Sequence, residues 1–127
     1  MQLYETIYLV KQDLDIKALK EIEVKYENLL KLNKANIEYK ENWGIRNLAY
    51  KIQNYKKAYY FMLVYNSDYK ALQELERNFR IDENIIRFLT TKISEIPSEP
   101  SHIMKLKIEK ENAENSLNEA NLTGNEA

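Results

Sequence analysis

Ala58-Tyr59-Tyr60-Phe61-Met62-Leu63-Val64-Tyr65 is a run without a charge, a glycine or a proline. Aromatic and β-branched side chains fit a pleated, packed surface, so the run reads as a strand. Its odd and even positions are both apolar, which predicts a central strand covered on each side. Leu3 to Val10 has the same character, with Leu3, Ile7 and Leu9 on one face and Tyr4, Tyr8 and Val10 on the other.

Upstream of Ala58, the polar stretch Gln53 to Lys57 reads as a hairpin connection. It lacks the Asn-Gly or Asp-Gly pair of a two-residue turn, which predicts a longer loop. Before it, Ile37, Tyr39 and Trp43 alternate, with Glu41 interrupting. Beyond Gly44 the alternation resumes one step out of phase at Leu48, Tyr50 and Ile52. A phase change at a glycine predicts a β-bulge, because one extra residue flips the facing of everything after it.

Between the first two strands, Ile16, Leu19, Ile22, Tyr26, Leu29 and Leu30 recur at helical spacing, with Asp13 or Asp15 placed to cap the first turn. Downstream of Tyr65, Ser67 or Asp68 caps a second helix that turns Ala71, Leu72, Leu75 and Phe79 inward. Ile85 to Ile93 is a fourth strand, with Ile86, Phe88 and Thr90 alternating against Ile85, Arg87 and Leu89. The order β-α-β-β-α-β predicts an α+β, ferredoxin-like split βαβ domain: a four-stranded antiparallel sheet with two helices on one face.

The 127 residues suffice for one domain with a tail. The boundary is set at Pro97, where Pro97 and Pro100 block regular structure and the composition turns to Asn, Glu and Ala. Met1 to Ile96 carries 16 basic and 14 acidic residues, and Pro97 to Ala127 carries 3 and 6, so a mildly basic domain precedes an acidic tail expected to be disordered alone. Within that tail, Ile103 and Met104 belong to an apolar stretch able to order on a protein partner.

The absence of cysteine excludes a disulfide framework, a thiolate zinc site and a cysteine nucleophile. The first residues lack the basic region and apolar core of a signal peptide, and no apolar run approaches the ~20 residues of a membrane helix, so a cytoplasmic protein with no membrane is expected. The single histidine, His102, stands in the tail, where no rigid frame holds it for acid, base or ligand chemistry. The only glycines are Gly44 and Gly124, so there is no phosphate loop. No enzyme, cofactor, metal or small-molecule substrate is expected.

The sheet carries the functional signal instead. Two helices cover one face only, yet the strands are apolar on both, which predicts a large exposed patch that receives a partner. Lys56 and Lys57 lead into Tyr59, Tyr60 and Phe61, a partial likeness to the aromatic strand on which RNA recognition motifs stack bases. Arg46 and Arg87 stand on strands, where a guanidinium either covers the sheet with its stem or reaches phosphate.

A more specific pattern is Trp43-Gly44-Ile45-Arg46-Asn47-Leu48-Ala49-Tyr50-Lys51-Ile52, followed by Lys57-Ala58-Tyr59-Tyr60. It resembles the Trp-Gly-x-Arg-x-Leu-Ala-Tyr-x-Ile hairpin of the bacterial small-subunit ribosomal protein six family. Tyr4-Glu5-Thr6, Leu75-Glu76-Arg77 and Ile81-Asp82-Glu83-Asn84-Ile85-Ile86-Arg87-Phe88-Leu89 resemble further family segments in the expected order. Gln2 and Leu3 stand where the family start is basic, and Lys51 stands where a proline is common.

The resemblance spans Met1 to about Ser94 and implies the same ferredoxin-like fold. It also implies a structural part of the small ribosomal subunit that binds the central domain of small-subunit ribosomal RNA together with small-subunit ribosomal protein eighteen. Under that resemblance, Tyr4, Arg46, Lys51, Lys56, Lys57 and Arg87 are the expected RNA contacts. Trp43, Tyr50, Ile103 and Met104 are the expected contacts to the protein partner. A near-neutral chain fits this, since a protein that reaches RNA with a partner needs fewer phosphate contacts of its own. The alternative is a free-standing ferredoxin-like regulatory or ligand-binding module that dimerises through its sheet.

Overall fold

The structure, a computed structural model, describes residues 1–97. Met1–Ile96 forms one compact unit. The elements run β1 (Gln2–Lys11), α1 (Ile16–Leu32), β2 (Asn36–Ile52), β3 (Tyr55–Ser67), α2 (Tyr69–Ile81) and β4 (Ile85–Lys92). All strands pair antiparallel in the order β2-β3-β1-β4, so β1 and β3 are central, as their two apolar faces require. The β-α-β-β-α-β order and the ferredoxin-like sheet expected from the sequence are both present. The expected Ile103, Met104 and His102 features, and the disorder of the tail, lie outside the described residues.

Local chemistry fixes the helices. Asp15 sits in extended conformation before α1, and its carboxylate accepts the Ala18 N–H at 2.8 Å, satisfying a first-turn donor. Leu19, Ile22, Tyr26 and Leu30 are buried and Leu29 packs against the core, whereas Ile16, expected in the stripe, is exposed in the first turn. In α2 the four expected inward residues, Ala71, Leu72, Leu75 and Phe79, are all buried.

The main core lies between the helices and one sheet face. Tyr4, Tyr8 and Val10 of β1, Phe61, Leu63 and Tyr65 of β3, and Ile85 of β4 meet the helical stripes there. Tyr8, Tyr26, Phe61, Phe79 and Phe88 form a chain of rings with successive centroids 4.6–5.6 Å apart. Full burial of each such ring stabilises by about 1.5–3 kcal/mol. The polar exception is Thr6, whose hydroxyl bonds the Tyr65 and Thr90 hydroxyls at 2.8 Å each, so it is buried without an unmet hydrogen bond.

A second latch joins the helices. The Tyr26 hydroxyl donates to Asp82, Lys25 Nζ lies 3.2 Å from the same carboxylate, and the Asn84 N–H donates to its other oxygen at 2.9 Å. Burial alone would raise the Asp82 carboxyl, but these donors outweigh it and hold it below its ordinary value.

The strands depart from simple alternation in four places, one of them between Asn47 and Ile52 in the hairpin. The bulge expected at Gly44 is present: pairing shifts between Asn42 and Gly44, and Gly44 has φ 74°, which a side chain would penalise. A second shift between Ile37 and Tyr39 turns Ile37 toward the helices and pairs Tyr39 with Val64 on the other face, so the expected shared facing of Ile37 and Tyr39 is corrected. A third irregularity lies between Leu9 and Val10, where Leu9 pairs with Arg87 and Val10 with Ile85. That skipped residue puts Ile86 beside Arg87 on the face away from the helices, rather than beside Phe88 as strict alternation predicts.

The hairpin also differs from expectation. Ile52 pairs with Tyr55 across a two-residue turn, Gln53-Asn54, whose φ angles of 50° and 71° are both positive. This is the geometry that matches the twist of a tight hairpin, reached without glycine because asparagine tolerates the left-handed region and tertiary pairing holds the glutamine there.

Candidate functional site

The face of the sheet opposite the helices is the candidate surface, and the registers define it. Gly44, Tyr60, Leu9 and Arg87 form one cross-strand row, and Arg46, Ala58 and Lys11 form the next. Directly opposed residues share a face, so Arg46, Arg87 and Lys11 rim a common apolar floor. That floor is Leu9, Ala58 and Ile86, with Ile7, Leu48, Ile52, Tyr55 and Tyr60 packed against it. The expected bare apolar patch is therefore corrected at this end. The extended hairpin folds Leu48, Ile52 and Tyr55 over the floor, leaving Leu89, paired with Ile7, as an exposed apolar residue on this face.

Trp43 follows from the bulge. The shift at Gly44 sets the indole against Tyr60, with centroids 5.9 Å apart and planes at 22°. Its Nε1–H donates to Glu41 Oε1 at 2.6 Å, and the Tyr39 hydroxyl donates to Glu41 Oε2 at 2.5 Å. Burial first and the Glu41 hydrogen bond second push the Tyr39 hydroxyl up to about 12. Glu41 is buried and organises both rings, so Trp43 is a held, buried part of this face.

The hairpin supplies the charge. No acidic residue stands between Glu41 and Asp68, whereas Arg46, Lys51, Lys56 and Lys57 all fall in that stretch. Lys51, Lys56 and Lys57 are exposed, and Arg46 is half-buried opposite Ala58. Beside the turn, the Tyr55 hydroxyl donates to Asp13 at 3.0 Å and ties the hairpin tip to the β1–α1 loop. Tyr50 is 81% exposed beside these cations.

The structure thus brings Arg46, Arg87, Lys51, Lys56 and Lys57 to one face and one hairpin. Tyr4 does not join them. It is 4% exposed, on the helix side, with its ring 5.8 Å from Tyr65, because β1 turns its even positions inward. A ring so enclosed offers no stacking face, and Tyr4, expected as an RNA contact, stands apart from the hairpin and rim cations. Of the aromatic run on β3, Phe61 points into the core, and Tyr60 alone takes part in the open-face cluster. Lys11 was missed as a member of the rim, although its period-two spacing from Ile7 and Leu9 carries the signal.

Among the described residues there is no cluster of His, Asp and Glu able to hold a metal ion, and no helix long and apolar enough to cross a membrane.

Comparison with known proteins adds the family. The family profile described as ribosomal protein S6 matches residues 3–92. A relative named small ribosomal subunit protein bS6 from Rickettsia bellii is 43% identical over 105 residues, covering 83% of this chain and 88% of its own length. The protein of the same name from Rickettsia prowazekii is 42% identical over 105 residues, covering 83% and 87%. The crystal structure of 30S ribosomal protein S6 from Thermotoga maritima superposes with a TM-score of 0.70 at 21% identity, covering 89% of this chain and 97% of that one, which supports the fold. The chain belongs to the ribosomal protein S6 family, a structural component of the small ribosomal subunit.

Proposed function

We propose that the chain binds the central domain of small-subunit ribosomal RNA together with small-subunit ribosomal protein eighteen, and that it does so without catalysis or a cofactor, in the cytoplasm. The observation that carries the RNA arm is the acid-free hairpin. Four cations without a carboxylate between them project beside a sheet face whose rim adds Arg87 and Lys11. Arg46 and Arg87 enter no ion pair among the described residues, so their forks are available to phosphate. The protein arm is supported by the apolar floor and by Tyr60 beside it, against which the indole of Trp43 stacks while Glu41 holds its Nε1–H, with Ile103 and Met104 of the tail as further contacts.

The test is a salt titration of central-domain RNA with this chain and protein eighteen. Each phosphate contact removed by Lys51→Gln, Lys56→Gln or Arg46→Gln lowers the slope of log affinity against log salt by about 0.9. Slopes unchanged in all three variants would overturn the RNA arm. The free-standing dimer reading is checked alongside, since it requires the native protein to sediment as a small dimer instead of with ribosomal particles.

A further inference from the structure

We propose that Tyr50 is a base-stacking residue: the hairpin grips an unpaired nucleotide, with the phenol ring on the base and the neighbouring lysines on the flanking phosphates. The inference rests on the RNA-binding reading above and moves Tyr50 from the protein partner to the RNA.

Three observations converge on it. First, β2 breaks its ladder where Tyr50 stands. Asn47 pairs with Lys57 and Ile52 with Tyr55, so Leu48, Ala49, Tyr50 and Lys51 oppose Lys56 alone. Irregularities of this kind re-aim side chains, and here the aim is divided. Leu48 and Ile52 pack onto the cluster of Leu9, Ala58 and Ile86, while Tyr50 is thrown outward to 81% exposure.

Second, Tyr50 is the most exposed tyrosine, ahead of Tyr69 at 61%. Tyr8, Tyr26 and Tyr65 are fully buried, and Tyr55 spends its hydroxyl on Asp13. Among the described residues Tyr50 makes no ring contact and no hydrogen bond, so a large planar surface is left in water.

Third, the surroundings select the partner's charge. Lys51 follows Tyr50 directly, Lys56 is the residue facing the expanded segment, and Lys57 comes next. No acid stands in the sequence from Asn42 through Ser67, and the Asp13 carboxylate beside the turn is engaged by the Tyr55 hydroxyl. An aromatic ring among cations fits a single-stranded polyanion, since every base has a π-face and every phosphate a charge. A duplex fits poorly, because its bases are already stacked on one another. An apolar protein pocket would take the ring but would leave the lysines without partners.

The experiment uses the full chain, protein eighteen and a central-domain RNA transcript at one fixed salt concentration. Tyr50→Phe, Tyr50→Leu and Tyr50→Ala are compared with the native chain, and urea unfolding confirms that each keeps the fold. Stacking predicts that Phe retains native affinity, while Leu and Ala each lose roughly five- to a hundredfold. The salt slope stays native, because no phosphate contact is removed. Zero-length ultraviolet crosslinking then yields a nucleotide adduct on the peptide that contains Tyr50. Unchanged RNA affinity in Tyr50→Ala, with the native salt slope intact, overturns stacking while leaving the RNA-binding reading standing. Retention by Leu, or loss of binding to protein eighteen measured without RNA, assigns the ring to a protein surface and also overturns it. A native chain with no salt-dependent RNA binding in the presence of protein eighteen overturns both readings.

Discussion

Replacing Arg87 by alanine separates contact from support at one strand position. Arg87 is exposed on the face away from the helices, opposite Leu9, and enters no ion pair among the described residues. Its removal costs little folding stability, within ~0.5 kcal/mol, as for surface changes that break no buried network. Its neighbour Phe88 points the other way, with its ring 5.2 Å from Phe79 and the Arg80 guanidinium 5.8 Å above it. Phe88 is only half-buried, so Phe88→Ala falls below the ~3–5 kcal/mol of a fully enclosed ring, at about 2–3 kcal/mol. Phe79, which is 1% exposed, supplies the upper reference, and Phe79→Ala costs the full ~3–5 kcal/mol. Urea denaturation followed by circular dichroism orders the three variants. RNA titration in the presence of protein eighteen adds the second axis, on which Arg87→Ala alone lowers the salt slope, by about 0.9. If Arg87→Ala loses more than about 2 kcal/mol of stability and keeps the native slope, the facing of β4 and the phosphate role are both wrong.

Gly44→Ala forces a side chain into φ 74° and should cost about 1–2 kcal/mol, with a shift in fluorescence from Trp43, the only tryptophan. Asp82 is held below its ordinary value of 3.8, so it stabilises the fold above that pH, and the gain is lost as pH falls through the depressed folded value; Asp82→Asn should flatten this acid limb in denaturation curves. At the other end, burial keeps Tyr65 protonated to about 12 against an ordinary 10.0, so this contribution is complete below pH 10 and lost as pH rises from 10 toward 12; a flat stability profile there would refute the burial account.

The parts of the fold legible in sequence were those where one signal dominates. The α2 stripe of Ala71, Leu72, Leu75 and Phe79 was fully readable, because helix periodicity and burial agree there. The uncharged runs on β1 and β3 identified the central strands, since only a strand covered twice needs apolar residues at every position. Gly44 betrayed its bulge through the residue that tolerates it. The bulges near Glu38 and Ile86 carry no glycine, so nothing in the residue types marks them, and alternation read through them assigns the wrong facing. The Gln53-Asn54 turn was hidden for the same reason.

In the candidate surface the placement of the charges is legible in the sequence, and that of the tyrosines is not. Lysines and arginines on the hairpin have no buried role to compete for them, whereas a tyrosine serves core and surface equally well. Tyr4 went to the core and Tyr50 to solvent, and only the registers separate them.

If this chain and small-subunit ribosomal protein eighteen engage ribosomal RNA as proposed, they do so as a coupled pair. Titrating central-domain RNA with the chain at one fixed salt concentration, with and without saturating protein eighteen, measures that coupling directly. Binding should be feeble alone and tighten by roughly five- to 150-fold with the partner, a coupling of about 1–3 kcal/mol. Equal affinity in the two titrations would contradict it.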